Sequence, residues 1–135
     1  MIIQFNPNDM GYLYKDLSDK IYNCLFTVHR ALGPGLLEST YELCLKKELE
    51  DAGLFVEQQK PVPLVYKGIN IGTAYRIDLI VEKTIILELK SVETMNPVYK
   101  AQLLTYLRLS EKKLGMLVNF NVTLIKDGIT RIVIG

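Results

Sequence analysis

An α/β domain with a mixed central sheet flanked by helices is the fold class this sequence predicts, and three observations carry it. Apolar residues at helical spacing fill the first third of the chain. Apolar runs broken by turn residues fill the middle, and one more helical stretch separates the last strand-like runs. At 135 residues, 49% of them hydrophobic, the chain suits one domain, residues 1–135, with one sizeable core. A net charge of +1 gives no globally basic surface, so a nucleic-acid partner would be held by a local patch. No apolar run approaches membrane-spanning length. The start, Met-Ile-Ile-Gln-Phe-Asn-Pro-Asn-Asp-Met, has neither a basic flank nor a small-residue cleavage site, so a cytoplasmic location is expected.

In chain order, the first ten residues suggest an arm or weak strand. From Tyr12, the residues Leu13, Leu17, Ile21, Cys24, Leu25, Val28 and Leu32 recur at steps of three and four, which predicts an amphipathic helix. Gly33-Pro34-Gly35 ends it, since Pro disfavours a helical conformation in the residue before it and Gly permits a left-handed cap. A second helix is expected from Leu37 to Ala52, with Tyr41, Cys44, Leu45 and Leu49 inward and Gly53 as terminator. Cys24 and Cys44 have no Cys or His at ligand spacing and suit reduced core thiols. His29, the sole histidine, lies near a helix end, where interaction with the last carbonyls is expected and no catalytic role is assigned.

Leu54–Lys60 alternates as a strand, and Pro61 and Pro63 argue against a central position for it. Leu64-Val65-Tyr66 then leads through the turn Lys67-Gly68-Ile69-Asn70 into Ile71. Asn96 and Pro97 form a good N-cap and first turn for a helix to Glu111, on which Gln102 and Tyr106 stack one turn apart. Leu114–Phe120 is nearly continuous apolar, as a covered central strand would be. Asp127-Gly128 turns the chain into a last strand over Thr130–Ile134, whose exposed edge leaves room for a second copy or another protein partner.

Tyr75 to Val92 is the most strand-like stretch, and it carries charge inside its apolar runs. Glu82-Lys83-Thr84 is its polar break, which predicts a hairpin of Ile77–Val81 with Ile85–Lys90. If Val81 faces Ile85 across a three-residue turn, Asp78 falls opposite Glu88, with the carboxylates roughly 5 Å apart and Lys90 on the same face. A turn one residue shorter puts Asp78 beside Leu87, on the other face. Two like charges at the first spacing repel unless a proton or cation stands between them, and a divalent metal is the natural candidate. Glu38 opens the second helix, where an acid complements the helix dipole, yet it shares a face with core residues and can turn toward the hairpin.

With this element order, Asp78 and Glu88-Leu89-Lys90 resemble the motif of the PD-(D/E)XK nuclease superfamily, with Ile77 where proline is frequent. The resemblance implies a restriction-endonuclease-like core: a helix, a three-stranded meander, a crossover helix and a further strand. More narrowly, Gly35-Leu36-Leu37-Glu38-Ser39-Thr40-Tyr41 resembles the signature of the small GxxExxY proteins. Gln102 and Tyr106 are similar to the Gln-x-x-x-Tyr helix of the RecB and lambda-exonuclease branch, where those residues line the active site.

Phosphodiester hydrolysis needs charge stabilisation, an activated water and a neutralised leaving oxygen, all of which Mg²⁺ or Mn²⁺ can provide. Asp78 and Glu88 suit the ion, with the Leu89 carbonyl as a further ligand by resemblance and Glu38 reaching it through water or holding a second ion. Lys90 is expected to position the attacking water, and Gln102 and Tyr106 to fix the water, Lys90 or the nucleic-acid backbone. Arg76, Lys67 and Lys100 are either phosphate contacts or solvated surface charges. The reading is a metal-dependent nuclease acting on DNA. Against it stand a non-catalytic nucleic-acid- or protein-binding module of a repair or defence complex, and a plain structural role for the charged strand residues.

Overall fold

The computed structural model describes residues 13–135, with only the backbone of Thr73 and Ala74. The expected N-terminal arm and Tyr12 lie outside the described residues. Helix α1 (Lys15–Leu32) buries the stripe Ile21, Cys24, Leu25 and Val28, as its periodicity requires. Helix α2 (Glu38–Asp51) buries Tyr41, Leu45 and Leu49. Between them, the Tyr41 hydroxyl donates to the Gly33 carbonyl and accepts from the Leu36 N–H at 3.1 Å, while its ring stacks on Phe120 at 4.3 Å. Gly35, with φ of 97°, supplies the left-handed residue this loop needs.

Five strands form one sheet in the order β1-β2-β3-β4-β5: Val56–Tyr66, Ile69–Val81, Ile85–Lys90, Leu114–Asn119 and Ile129–Val133. Neighbours are antiparallel except β3 and β4, which are parallel and joined by helix α3 (Pro97–Ser110). The Asn96 side chain accepts the Val98 N–H and caps α3. Leu79, Val81, Ile85, Leu87 and Leu89 pack with α1 and α2, while Ile77, Ile80, Ile86 and Leu117 pack with α3. The result is a sheet layered between helices.

Three expectations change. The middle of the chain forms two long strands rather than several short ones. β1 runs through Pro61 and Pro63, which an edge strand tolerates. Lys67 and Gly68, both at positive φ, make a two-residue turn where a four-residue turn was expected, so β2 begins at Ile69. His29 does not serve its own helix end: Nε2 lies 2.9 Å from the Val122 carbonyl oxygen and 3.2 Å from that of Phe120, so it is the donor. Cys24 is buried and Cys44 half-buried, both as free thiols. Among the described residues, no helix is long and apolar enough to cross a membrane.

Candidate metal centre

The β2–β3 hairpin has the register of the three-residue turn. Val81 pairs with Ile85, Ile80 with Ile86 and Leu79 with Leu87, and the next positions are Asp78 and Glu88. There the ladder stops and the acids interlock. The Asp78 N–H donates to Glu88 Oε1 at 3.1 Å, and the Leu89 N–H donates to Asp78 Oδ2 at 2.8 Å, so each carboxylate takes the place of a strand carbonyl. Ile77 and Ile80, three apart, both face α3, so the alternation of β2 breaks around Asp78. This break brings Asp78 within reach of groups from both helical layers.

Burial, first, and then the Asp78 charge push the Glu88 carboxyl up to about 8, against the pull of Lys90 and of the Asp78 N–H. Glu88 is only 7% exposed, so without a cation it keeps its proton at neutral pH. Tyr106 on α3 is buried, and burial with the Glu88 and Asp78 charges raises its hydroxyl too, holding it protonated as a donor.

Of the other expected site residues, Lys90 follows Glu88 by two positions and rests over the Tyr99 ring of α3, 4.3 Å from its centroid. Gln102 is half-buried one turn before Tyr106. Leu89 packs its side chain in the core, so its available groups are those of the backbone. Glu38 is exposed, and its carboxylate accepts the Ser91 N–H at 3.4 Å just beyond the end of β3. Arg76 reaches the Gln59 carbonyl at 3.4 Å, Lys67 lies over Tyr66 at the tip of the β1–β2 hairpin, and Lys100 is exposed on α3.

Sequence reasoning missed Glu42, one turn after Glu38. It is buried to 9% exposure, accepts from Gln58 Nε2 at 2.7 Å and Gln59 Nε2 at 2.8 Å, and lies close enough to Asp78 for the two acids to repel. Burial is the main cause that raises its carboxyl. The signal was available: Glu42 borders the inward stripe of Tyr41, Leu45 and Leu49, and two successive glutamines stand in a strand.

Asp78 thus stands between Glu42 and Glu88, although among the described residues no three His, Cys, Asp or Glu side chains converge on one point. As a donor set, two carboxylates with an amine beside them suit a hard divalent ion that keeps much of its own water. The Asp78–Glu88 repulsion is the charge such an ion would relieve. Comparison with curated proteins and with solved structures gives no match. The family model for the PD-(D/E)XK nuclease superfamily matches residues 15–132, and with the interlocked Asp78 and Glu88-x-Lys90 placed as described, the chain belongs to that superfamily.

Proposed function

We propose that this protein is a divalent-metal-dependent nuclease that hydrolyses DNA phosphodiester bonds, one of the GxxExxY proteins of its superfamily. PD-(D/E)XK nucleases generally use divalent metal ions. The observation that carries the reading is the pairing of Asp78 with a buried Glu88 that cannot ionise cheaply beside it. In this reading Asp78 and Glu88 hold Mg²⁺ or Mn²⁺, with the Leu89 backbone beside them. Bound there, the ion supplies a Lewis acid for phosphoryl transfer and positive charge against the charge that develops on the phosphate.

The remaining work falls to side chains. Lys90 Nζ leaves the Tyr99 ring to orient the attacking water and to offset negative charge on the phosphate. Tyr106 Oη, kept protonated, donates a hydrogen bond to the water or to a non-bridging oxygen, and Gln102 on the same face steadies it. Glu38 would act through an intervening water, since its carboxylate is tied to the Ser91 N–H. Arg76, two residues before Asp78 on β2, would meet the nucleic-acid backbone.

One observation favours a second reading. Lys90 already has an aromatic partner, as it would in a nucleic-acid- or protein-binding module that never lifts it off. A cleavage assay on DNA and RNA with Mg²⁺, Mn²⁺ or chelator separates the two. Cutting that needs metal and falls at least about 100-fold in Asp78→Ala and Lys90→Ala is the expected result. Metal-independent cutting, or full activity in Asp78→Ala, would reject the assignment.

A further inference from the structure

Beside Asp78 the structure holds a strained residue and polar contacts to which the chemistry above gives no role. The β1–β2 ladder pairs Gln58 with Leu79 and Lys60 with Ile77, and it skips the intervening Gln59 and Asp78. Gln59 has φ of 51°, a left-handed conformation that costs a side-chain-bearing residue free energy and persists only where its surroundings impose it. The consequence is visible in its neighbours. Successive side chains of a regular strand point to opposite faces, yet here Gln58 and Gln59 both donate to the Glu42 carboxylate. Gln59 Nε2 donates onward to Asp78 Oδ1 at 3.2 Å, on the carboxylate whose other oxygen holds the Leu89 N–H. The far end of the chain of contacts is fixed, because Tyr41, Leu45 and Leu49 seat α2 fully in the core.

We propose that Glu42, acting through Gln59, is a positioning residue for Asp78: the pair holds the Asp78 carboxylate in line with Glu88 and so sets the affinity of the two acids for a divalent cation. This rests on the reading of Asp78 and Glu88 as metal ligands. Partners that orient a ligating carboxylate typically govern metal affinity by about 10–100-fold.

The test uses the full chain and Mn²⁺ alone, with binding followed by the electron-spin signal of the free ion and metal-free melting followed by calorimetry. Gln59→Gly removes the amide while accepting the left-handed backbone without penalty, so its metal-free Tm should stay near wild type or exceed it. Its Mn²⁺ affinity should fall roughly tenfold or more. That split between metal affinity and fold is what a purely structural role would not produce. Glu42→Gln, close in shape, serves as the second variant and should also weaken Mn²⁺ binding; it decides the matter if Gln59→Gly does not fold. If both variants bind Mn²⁺ as wild type does while Asp78→Ala does not, the positioning role is wrong and the metal site stands. If wild type itself fails to bind Mn²⁺, the metal reading falls and takes this inference with it.

Discussion

Glu88 shows how one buried acid links metal, proton and stability. Its carboxyl in the folded chain is raised to about 8, well above the ordinary carboxylate range near 4.3, so the folded state binds a proton that the unfolded state has released. A group raised in this sense favours folding at low pH and loses that contribution as pH climbs toward its folded value. Between about pH 5 and 8 the metal-free protein should therefore lose up to ~1.4 kcal/mol of stability per pH unit. Burial raises the Glu42 carboxyl in the same direction. Calorimetric melting of the metal-free protein should give a falling Tm across this range, and Glu88→Gln should flatten most of the fall. A Tm that rises from pH 5 to 8 would contradict the burial of this acid. The hairpin was legible in the sequence from Glu82-Lys83-Thr84, its sole polar break, but two registers stayed open, and the pairing of Val81 with Ile85 is what sets Glu88 opposite Asp78. The burial of Glu42 could be suspected from its place beside Tyr41, Leu45 and Leu49, but its link through Gln59 to Asp78 could not, because that depends on a left-handed Gln59 that nothing in the residue type signals.

Among the elements, β3 and β4 were the easiest to recognise. Both are covered on two faces, so their near-continuous apolar runs follow directly from burial. β2 was harder: Gly72 and exposed residues such as Ile71 interrupt its pattern, because the outer half of the β1–β2 hairpin projects past the helices. The link into β5 was seen only as a turn. Its tightness comes from Gly128, where an added Cβ would lie 2.1 Å from the backbone oxygen of Asn119. That neighbour cannot yield, since Asn119 is buried and its side chain binds both Val92 and Asn121. Gly128→Ala should therefore cost about 3 kcal/mol in urea unfolding. A loss under about 0.5 kcal/mol, the level of an indifferent surface change, would mean that the turn relaxes freely. At Gly115 an added Cβ would instead crowd a side chain, lying 2.8 Å from Cδ1 of the buried Leu103.

For the molecule as a whole, the superfamily core was legible from element order together with Asp78 and Glu88-Leu89-Lys90, and the family model matches residues 15–132. The placement of Glu38 shows the limit of that legibility. Helix spacing left it either to complement the helix dipole or to turn toward the hairpin; it is exposed in the first turn of α2, with its carboxylate accepting the Ser91 N–H. Tyr41, the last residue of the same signature, proves to be the tie that holds the α1–α2 loop to the core through Gly33, Leu36 and Phe120.

The topology also orders events in time. β2 meets β3 across three residues, whereas β3 meets β4 only after the chain has travelled through α3. Short closures cost the least entropy, so the strands that carry Asp78 and Glu88 are joined before the parallel pair can form. In pulsed hydrogen exchange during refolding, backbone amides of Leu79 to Leu87 should gain protection ahead of those in β5. On that order the acids would come face to face early, while water still surrounds them, and their mutual repulsion would be felt fully only once later strands and α3 shut that water out.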